Sequence, residues 1–179
     1  MDVMNQRKTL AHALPKGLTL LELMVGLAVV SILFGIAIPS FQRLLDSYRV
    51  EVAVHALQHS LALARMEAVR AHRFMTVGAK PSGWSEGWAL FLDLNGNAAL
   101  DGPEVPLHEL TPPVGLSITG NGSMRTYVGF CAAGWPCQTN GAFQAGTIRI
   151  CNQRGEGMAL VMNASGRVRQ ERLAQCAPP

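Results

Sequence analysis

Residues 16–24, with the sequence KGLTLLELM, place a carboxylate near the start of a long apolar segment. The apolar run begins at Leu18 and ends at Ile38, and Glu22 is its one charged residue. About 20 apolar residues are enough for a helix to cross the hydrocarbon core of a membrane. Because a charge at that depth is costly, we expect Glu22 to have a functional role and a cationic partner.

The charges on either side of the apolar run predict its orientation in a membrane. The segment before the run contains Arg7, Lys8 and Lys16, whereas the first charged residue after Glu22 is Arg43. Basic residues accumulate on the cytoplasmic side of a membrane-spanning helix. We therefore expect a single-pass protein with a cytoplasmic N-terminus and a periplasmic domain.

Three interpretations of the apolar run compete. A cleaved signal peptide needs a small-residue cleavage site after the run, and residues 38–41 (IPSF) are a poor match. A plain membrane anchor leaves Glu22 without an explanation. A cut after Gly17 retains the anchor, makes Glu22 the fifth residue of the mature chain, and gives Leu18 a new α-amino group.

The stretch resembles the processing site of type IV prepilins and pseudopilins, which is a basic leader ending in glycine, an apolar residue, Thr, two apolar residues and Glu. Residues 16–22 match position by position, although the family more often has Phe in place of Leu18. Pro39 matches a proline that commonly interrupts the helix in this family. The resemblance implies cleavage by a prepilin peptidase after Gly17, N-methylation of Leu18, and pairing of Glu22 with the Leu18 ammonium of an adjacent subunit.

The pattern after Pro39 predicts that the helix continues beyond the membrane, to about Arg73. Apolar residues recur at steps of three and four, which forms a single stripe on a helix. The stripe consists of Val50, Val54, Leu57, Leu61, Ala64 and Ala68. Because proline cannot donate to the helical hydrogen-bond ladder, we expect a kink or local melting at Pro39.

From residue 76 onwards, the pattern is typical of short strands separated by turns rich in glycine and asparagine. The predicted strands are residues 88–92, 116–119, 125–130, 147–151, 158–162 and 167–169. We expect an α+β fold in which the long N-terminal helix packs on a small antiparallel sheet, or on two. The order of the segments GWALFLDLNGN, TIRIC and GRVRQ resembles the GspH/FimT branch of the pilin-like proteins.

All four cysteines follow the apolar run, so they lie in the part of the chain that we expect to be exported. An even number of cysteines in an exported domain favours disulfides, and the spacing here is a poor zinc pattern. Three pairings are possible. The preferred one joins Cys131 to Cys137 across a short loop and Cys151 to Cys176 near the C-terminus.

Residues 93–104 have the spacing of the oxygen ligands in a calcium-binding EF-hand loop. These ligands would be Asp93, Asn95, Asn97, Asp101 and Glu104. However, Ala98 occupies the position where the sharp turn of an EF-hand needs glycine, and the residues that follow do not predict a helix. The alternative is a polar turn between two strands, with no cofactor bound.

The C-terminal segment is basic, because five arginines and two glutamates lie between residue 149 and the C-terminus. In a strand, Arg167 and Arg169 lie on the same face, about 7 Å apart, and can contact successive phosphates of a nucleic acid. We expect Arg172 or Arg154 to extend this patch. The alternative is that the arginines form ion pairs with Glu156 and Glu171, or contact a neighbouring pilin.

Residues 166–169 (GRVR) resemble the Gly-Arg-x-Arg motif of FimT-type minor pilins. The resemblance implies binding of double-stranded DNA during natural transformation. Such binding is independent of base sequence, since phosphate contacts carry no base information.

These patterns predict a structural protein rather than an enzyme, because the sequence contains no nucleophile motif and no nucleotide-binding glycine-rich loop. The resemblance implies a minor pilin that is incorporated in, or initiates, a type IV pilus with other major or minor pilins. Before assembly it would lie in the bacterial inner membrane. The alternative is a minor pseudopilin of a type II secretion system, without DNA binding. The predicted segments are a cleaved leader (1–17), the membrane half of the helix (18–38), its amphipathic half (39–75) and a β-rich domain (76–179).

Overall fold

The computed structural model describes residues 19–176, so the predicted leader, Gly17 and Leu18 lie outside the described residues. The described chain begins with one long helix, α1 (Leu20–Ala71). Thr19 caps this helix, because its hydroxyl oxygen accepts a hydrogen bond from the Glu22 backbone N–H at 3.2 Å. Thr19 and Glu22 therefore have the spacing of a capping box, in which Ser or Thr precedes Glu by three residues.

The chain divides into two compact units, one ending at Phe41 and the other beginning at Gln42. In the first unit, every described residue is exposed. α1 contains an 18-residue window with a mean hydropathy of 2.5, none of it buried, so by length and composition it can cross a membrane. The helix is unbroken at Pro39, so the local melting expected there does not occur, and the kink stays a prediction.

In the second unit, α1 buries the predicted apolar stripe. All six predicted residues are buried, and Ala53 and Ser60 join them. The Ser60 hydroxyl oxygen accepts a hydrogen bond from the buried indole N–H of Trp88 at 2.9 Å. α1 ends at Ala71 because His72 adopts a φ of 52°, the left-handed conformation that often terminates a helix.

Within residues 19–176, eight strands form two antiparallel sheets. The first sheet contains β1 (Met75–Lys80), β2 (Gly83–Leu92), β3 (Pro106–Leu110) and β5 (Tyr127–Phe130), in the spatial order β3-β2-β1-β5. The second sheet contains β4 (Leu116–Gly120), β6 (Gly146–Asn152), β7 (Gly157–Met162) and β8 (Val168–Leu173), in the order β4-β6-β7-β8.

Both sheets pack against the α1 stripe and share one hydrophobic core with it. The sheets contribute to this core Val77, Leu90, Val128, Ile118, Ile148, Ile150, Leu160 and Met162. β2 and β4 are joined where the Ser85 hydroxyl oxygen accepts a hydrogen bond from the Ile118 N–H at 2.8 Å. The predicted α+β fold is thus confirmed, with two sheets rather than one.

Two strands were not predicted. β1 is buried from Met75 to Gly78, so it lacks the alternation of buried and exposed residues that identifies most strands. β3 begins with Pro106 and lies at the edge of the first sheet, and proline is tolerated as the first residue of an edge strand.

Candidate functional site

The edge strand β8 carries Arg169 on the outer face of the second sheet, the face that points away from α1. On β7, Leu160 and Met162 belong to the core, whereas Val161, which pairs with Arg169, does not. Gln170, the next residue of β8, has the opposite orientation and donates a hydrogen bond to Gln58 of α1 at 2.6 Å.

Arg167 lies immediately before β8 and shares the outer face with Arg169. Together with Val161 and Asn163, the two arginines line a shallow depression, and both are exposed. The structure therefore brings together the two residues of the predicted arginine pair.

The turn that precedes Arg167 is held in one conformation. The Asn163 side-chain oxygen accepts a hydrogen bond from the Arg167 N–H at 2.9 Å. Gly166 has a φ of 81°, which favours glycine, and a Cβ there would lie 3.0 Å from Pro136 Cδ and 3.1 Å from Arg65 Nη1. The glycine of the GRVR segment is therefore required by the fold, whatever the arginines bind.

Glu171 forms an ion pair with one member of the arginine pair, Arg169. Its Oε1 lies 2.8 Å from Nη2 of Arg169, and both side chains are substantially exposed. An exposed pair of this kind contributes about 0–1 kcal/mol, so Arg169 can exchange Glu171 for another anion at little cost.

Arg149 on β6 also lies on the outer face, although it is not among the residues predicted for the patch. Ile148 and Ile150 on either side of it are buried in the core, whereas Arg149 is exposed. Its partner on β7 is Ala159, which in turn pairs with Glu171. The alternation within the TIRIC segment is the signal that would have identified it.

Arg172 and Arg154 do not extend the patch, which corrects the prediction. Arg172 lies three residues after Arg169, so it points to the opposite face of β8, where it lines a depression with residues of α1. Arg154 lies in the turn between β6 and β7, and its Nε donates a hydrogen bond to Asp46 of α1 at 2.8 Å. Both arginines lie on the side of the sheet that packs against the helix.

The two disulfides have the preferred pairing. Cys131 is bonded to Cys137, which closes a short loop after β5. Cys151 of β6 is bonded to Cys176, three residues after the end of β8. The second bond thus links the chain just after β8 to β6, an inner strand of the same sheet.

The five residues with EF-hand spacing lie in one loop between β2 and β3. Asp93 is 5% exposed, and its two carboxylate oxygens accept hydrogen bonds from the N–H groups of Gly96, Asn97 and Ala98 and from the Thr76 hydroxyl. Asp101 accepts hydrogen bonds from the amides of Asn95 and Asn97, and Glu104 from the N–H groups of Leu94 and Asp101.

The loop is therefore held by N–H donors, as in a polar turn. In the part of the chain that the structure describes, no group of three or more His, Cys, Asp or Glu residues is arranged to hold a metal ion. Calcium binding stays a prediction.

The sequence model of the GspH family, described as Type II transport protein GspH, matches residues 53–166. A second model, the prokaryotic N-terminal methylation motif, matches residues 15–38. Pilin-like protein PilA1 of Thermus thermophilus is 35% identical over 86 residues, which cover 48% of this chain and 53% of PilA1. The match thus spans about half the length of that relative.

Two crystal structures of the type IV minor pilin FimU from Pseudomonas aeruginosa PAO1 have a similar fold. Their TM-scores are 0.58 and 0.55, at 22% and 24% identity. The aligned regions cover 74% and 71% of this chain, and 98% and 99% of the FimU chains. This likeness establishes a type IV pilin-like fold. Because the GspH model matches more than half of the sequence, the chain belongs to the GspH family of pilin-like proteins.

Proposed function

We propose that this protein is a minor pilin that is built into, or initiates, a type IV pilus. The methylation motif at residues 15–38, the apolar half of α1 and the FimU-like fold support this role. In this proposal a prepilin peptidase cuts after Gly17, Leu18 is N-methylated, and α1 anchors the chain in the inner membrane with its N-terminus in the cytoplasm. The role is structural, and no reaction is assigned to the protein.

Glu22 guides assembly in this proposal. Its carboxylate lies in the first turn of α1, within an apolar stretch. In a filament core, a carboxylate is stable only beside a cation, and the ammonium of Leu18 on an adjacent subunit supplies that charge. A subunit that is out of register would bury both charges without a partner.

We further propose that the outer face of β8 binds double-stranded DNA without sequence preference, for uptake in natural transformation. The observation that carries this proposal is the exposed pair Arg167 and Arg169 on the outer face of an edge strand. Arg149, two strands away and roughly 12 Å from Arg169, extends the positive charge across the sheet. Guanidiniums at these separations can each contact a different phosphate.

The test uses the full chain in a non-ionic detergent and measures its affinity for a duplex at several salt concentrations. We expect the double variant Arg167→Gln/Arg169→Gln to lose most of the affinity and to reduce the slope of log K against log salt by about 1, because Arg167 makes a new ion contact on binding whereas Arg169 exchanges Glu171 for a phosphate.

The matched control is Arg154→Gln/Arg172→Gln, which removes the same charge from the helix side of the sheet. It should bind the duplex nearly as well as the wild type. Equal losses in the two double variants would show a net-charge effect and remove the proposed site.

A second candidate function is a minor pseudopilin of a type II secretion system. The description of the family model, Type II transport protein GspH, favours it. The matched segment ends at Gly166, immediately before the arginine pair, so family membership does not bear on DNA binding. Deletion of the gene separates the two functions: loss of transformation with normal protein secretion supports the pilus, and the reverse supports the secretion system.

A further inference from the structure

Two exposed aromatic side chains lie in the segment that follows β5. Trp135 is 46% exposed and Phe143 is 67% exposed, and their ring centroids are 6.4 Å apart at an interplanar angle of 55°. The other two tryptophans, Trp84 and Trp88, are buried. The proposed functions leave this aromatic pair without a role.

The backbone holds the aromatic pair in place. Trp135 lies inside the loop that the disulfide between Cys131 and Cys137 closes, and its carbonyl oxygen accepts a hydrogen bond from the Cys131 N–H at 3.0 Å. Phe143 pairs with Cys137 in a β-bridge. Ring faces that are held by a closed loop lose little conformational entropy when a ligand packs on them.

The segment that carries the aromatic pair contacts the turn that precedes the arginine pair. Pro136, the neighbour of Trp135, lies against Gly166, the neighbour of Arg167. From these contacts and the 3.8 Å step between consecutive Cα atoms, the Cα atoms of Trp135 and Arg167 are within about 15 Å of each other.

Arg65 of α1 links the two segments and adds a further cation. Its side chain passes beside Gly134, where a Cβ would lie 3.7 Å from Arg65 Nε. Its Nη1 then donates a hydrogen bond to the Gly166 carbonyl oxygen at 3.4 Å. The loop that carries Trp135 and the turn that precedes Arg167 therefore pack against the same side chain of the helix, which places the two aromatic rings and the guanidiniums in neighbouring segments.

Aromatic faces beside guanidiniums form the arrangement that binds single-stranded nucleic acid. The cations contact the phosphates while the bases stack on the rings, which requires bases that are not already stacked within a duplex. We propose that Trp135 and Phe143 form a stacking platform for unpaired bases, so that the site also binds single-stranded DNA, including the frayed ends of a duplex. This inference rests on the proposed DNA-binding function of Arg167 and Arg169.

The test compares a labelled oligothymidine of about 12 nucleotides with a duplex of the same length, using the full chain in a non-ionic detergent. Single strands should quench the emission of the wild type, because Trp135 is its exposed tryptophan. Trp135→Phe keeps a ring at this position, so it should bind single strands within about twofold of the wild type but lose the quenching. Trp135→Ala should bind them at least about fivefold more weakly and bind the duplex normally.

Phe143→Ala provides an independent variant at a more exposed position, and it should also weaken single-strand binding. Normal single-strand affinity in both alanine variants, or quenching that persists in Trp135→Phe, would overturn the inference. So would a Trp135→Ala chain that binds single strands normally but fails to enter filaments, because the pair would then be a contact to another pilin. If any of these results is found while duplex binding still depends on Arg167 and Arg169, only the stacking role of Trp135 and Phe143 is wrong. If duplex binding does not depend on the two arginines either, the proposed DNA-binding function is wrong as well.

Discussion

Glu171 is the negative charge among the arginines of the outer face, which are Arg149, Arg167 and Arg169. In its ion pair with Arg169, both side chains are exposed. We expect Glu171→Gln to raise the affinity for duplex DNA by about two- to fivefold at low salt and to steepen the salt dependence by about 1, because Arg169 no longer exchanges one anion for another. Titration of labelled duplex against the full chain measures both quantities.

Glu86→Gln is the control for this change, since it removes the same charge from β2 in the other sheet. An increase in affinity that is equally large in Glu86→Gln would mean that net charge, rather than the Arg169 pair, limits binding.

Two residues of the predicted patch show what the sequence could and could not place. Arg172 follows Arg169 by three residues, so the alternation of a strand already assigns it to the other face. Arg154 could not be placed in this way, because its position depends on the contact between the turn after β6 and Asp46, more than 100 residues earlier. Local patterns predict which face of an element a residue lies on, but they do not predict contacts between distant segments.

At the level of elements, β8 pairs with β7 alone among the described strands, and the disulfide between Cys151 and Cys176 ties its end to β6. We expect the variant Cys151→Ala/Cys176→Ala to lose about 3 kcal/mol of unfolding free energy, because the bond closes a chain segment of 25 residues. Amide hydrogen exchange should accelerate along β8 while the core strands β6 and β1 stay protected.

The other disulfide provides the comparison. Cys131→Ala/Cys137→Ala opens a segment of only 6 residues, so the chain-entropy model predicts a loss that is smaller by about 1 kcal/mol. If removal of the Cys131–Cys137 bond accelerated exchange in β8 as much as removal of the Cys151–Cys176 bond, the proposed tie would be wrong.

The helix and six of the strands could be predicted because their patterns are local. The α1 stripe has a helical period, and segments such as TIRIC alternate between core and solvent. β1 has no such alternation, since one of its faces meets α1 and the other lies under the ring of Phe91. The capping role of Thr19 was also missed, although its spacing from Glu22 is a known helix-start signal.

At the level of the complete chain, processing and assembly are separable steps. We expect Glu22→Val to be cleaved normally but to be at least tenfold depleted from sheared filaments, because the Leu18 ammonium of a neighbour would then be buried without its anion, at a cost of about 3–5 kcal/mol. Immunoblots of whole cells and of the sheared fraction measure the two steps.

Gly17→Val is the complementary control, because it should block cleavage and leave the chain at its larger apparent size. A Gly17→Val chain with the wild-type size would contradict the prepilin interpretation. A Glu22→Val chain that enters filaments normally would contradict the assembly role of the carboxylate. It would not contradict cleavage after Gly17.

The disulfide at the end of β8 also affects how the strand responds to tension. A polymer held by the proposed contacts to Arg167 and Arg169 would pull on the strand near its first residue, and an edge strand loaded there would separate from β7 one hydrogen bond at a time. Separation that reaches Leu173 is stopped by the covalent link from Cys176 to Cys151. The strand can therefore detach under load without being lost from the sheet, and it can pair with β7 again when the tension falls.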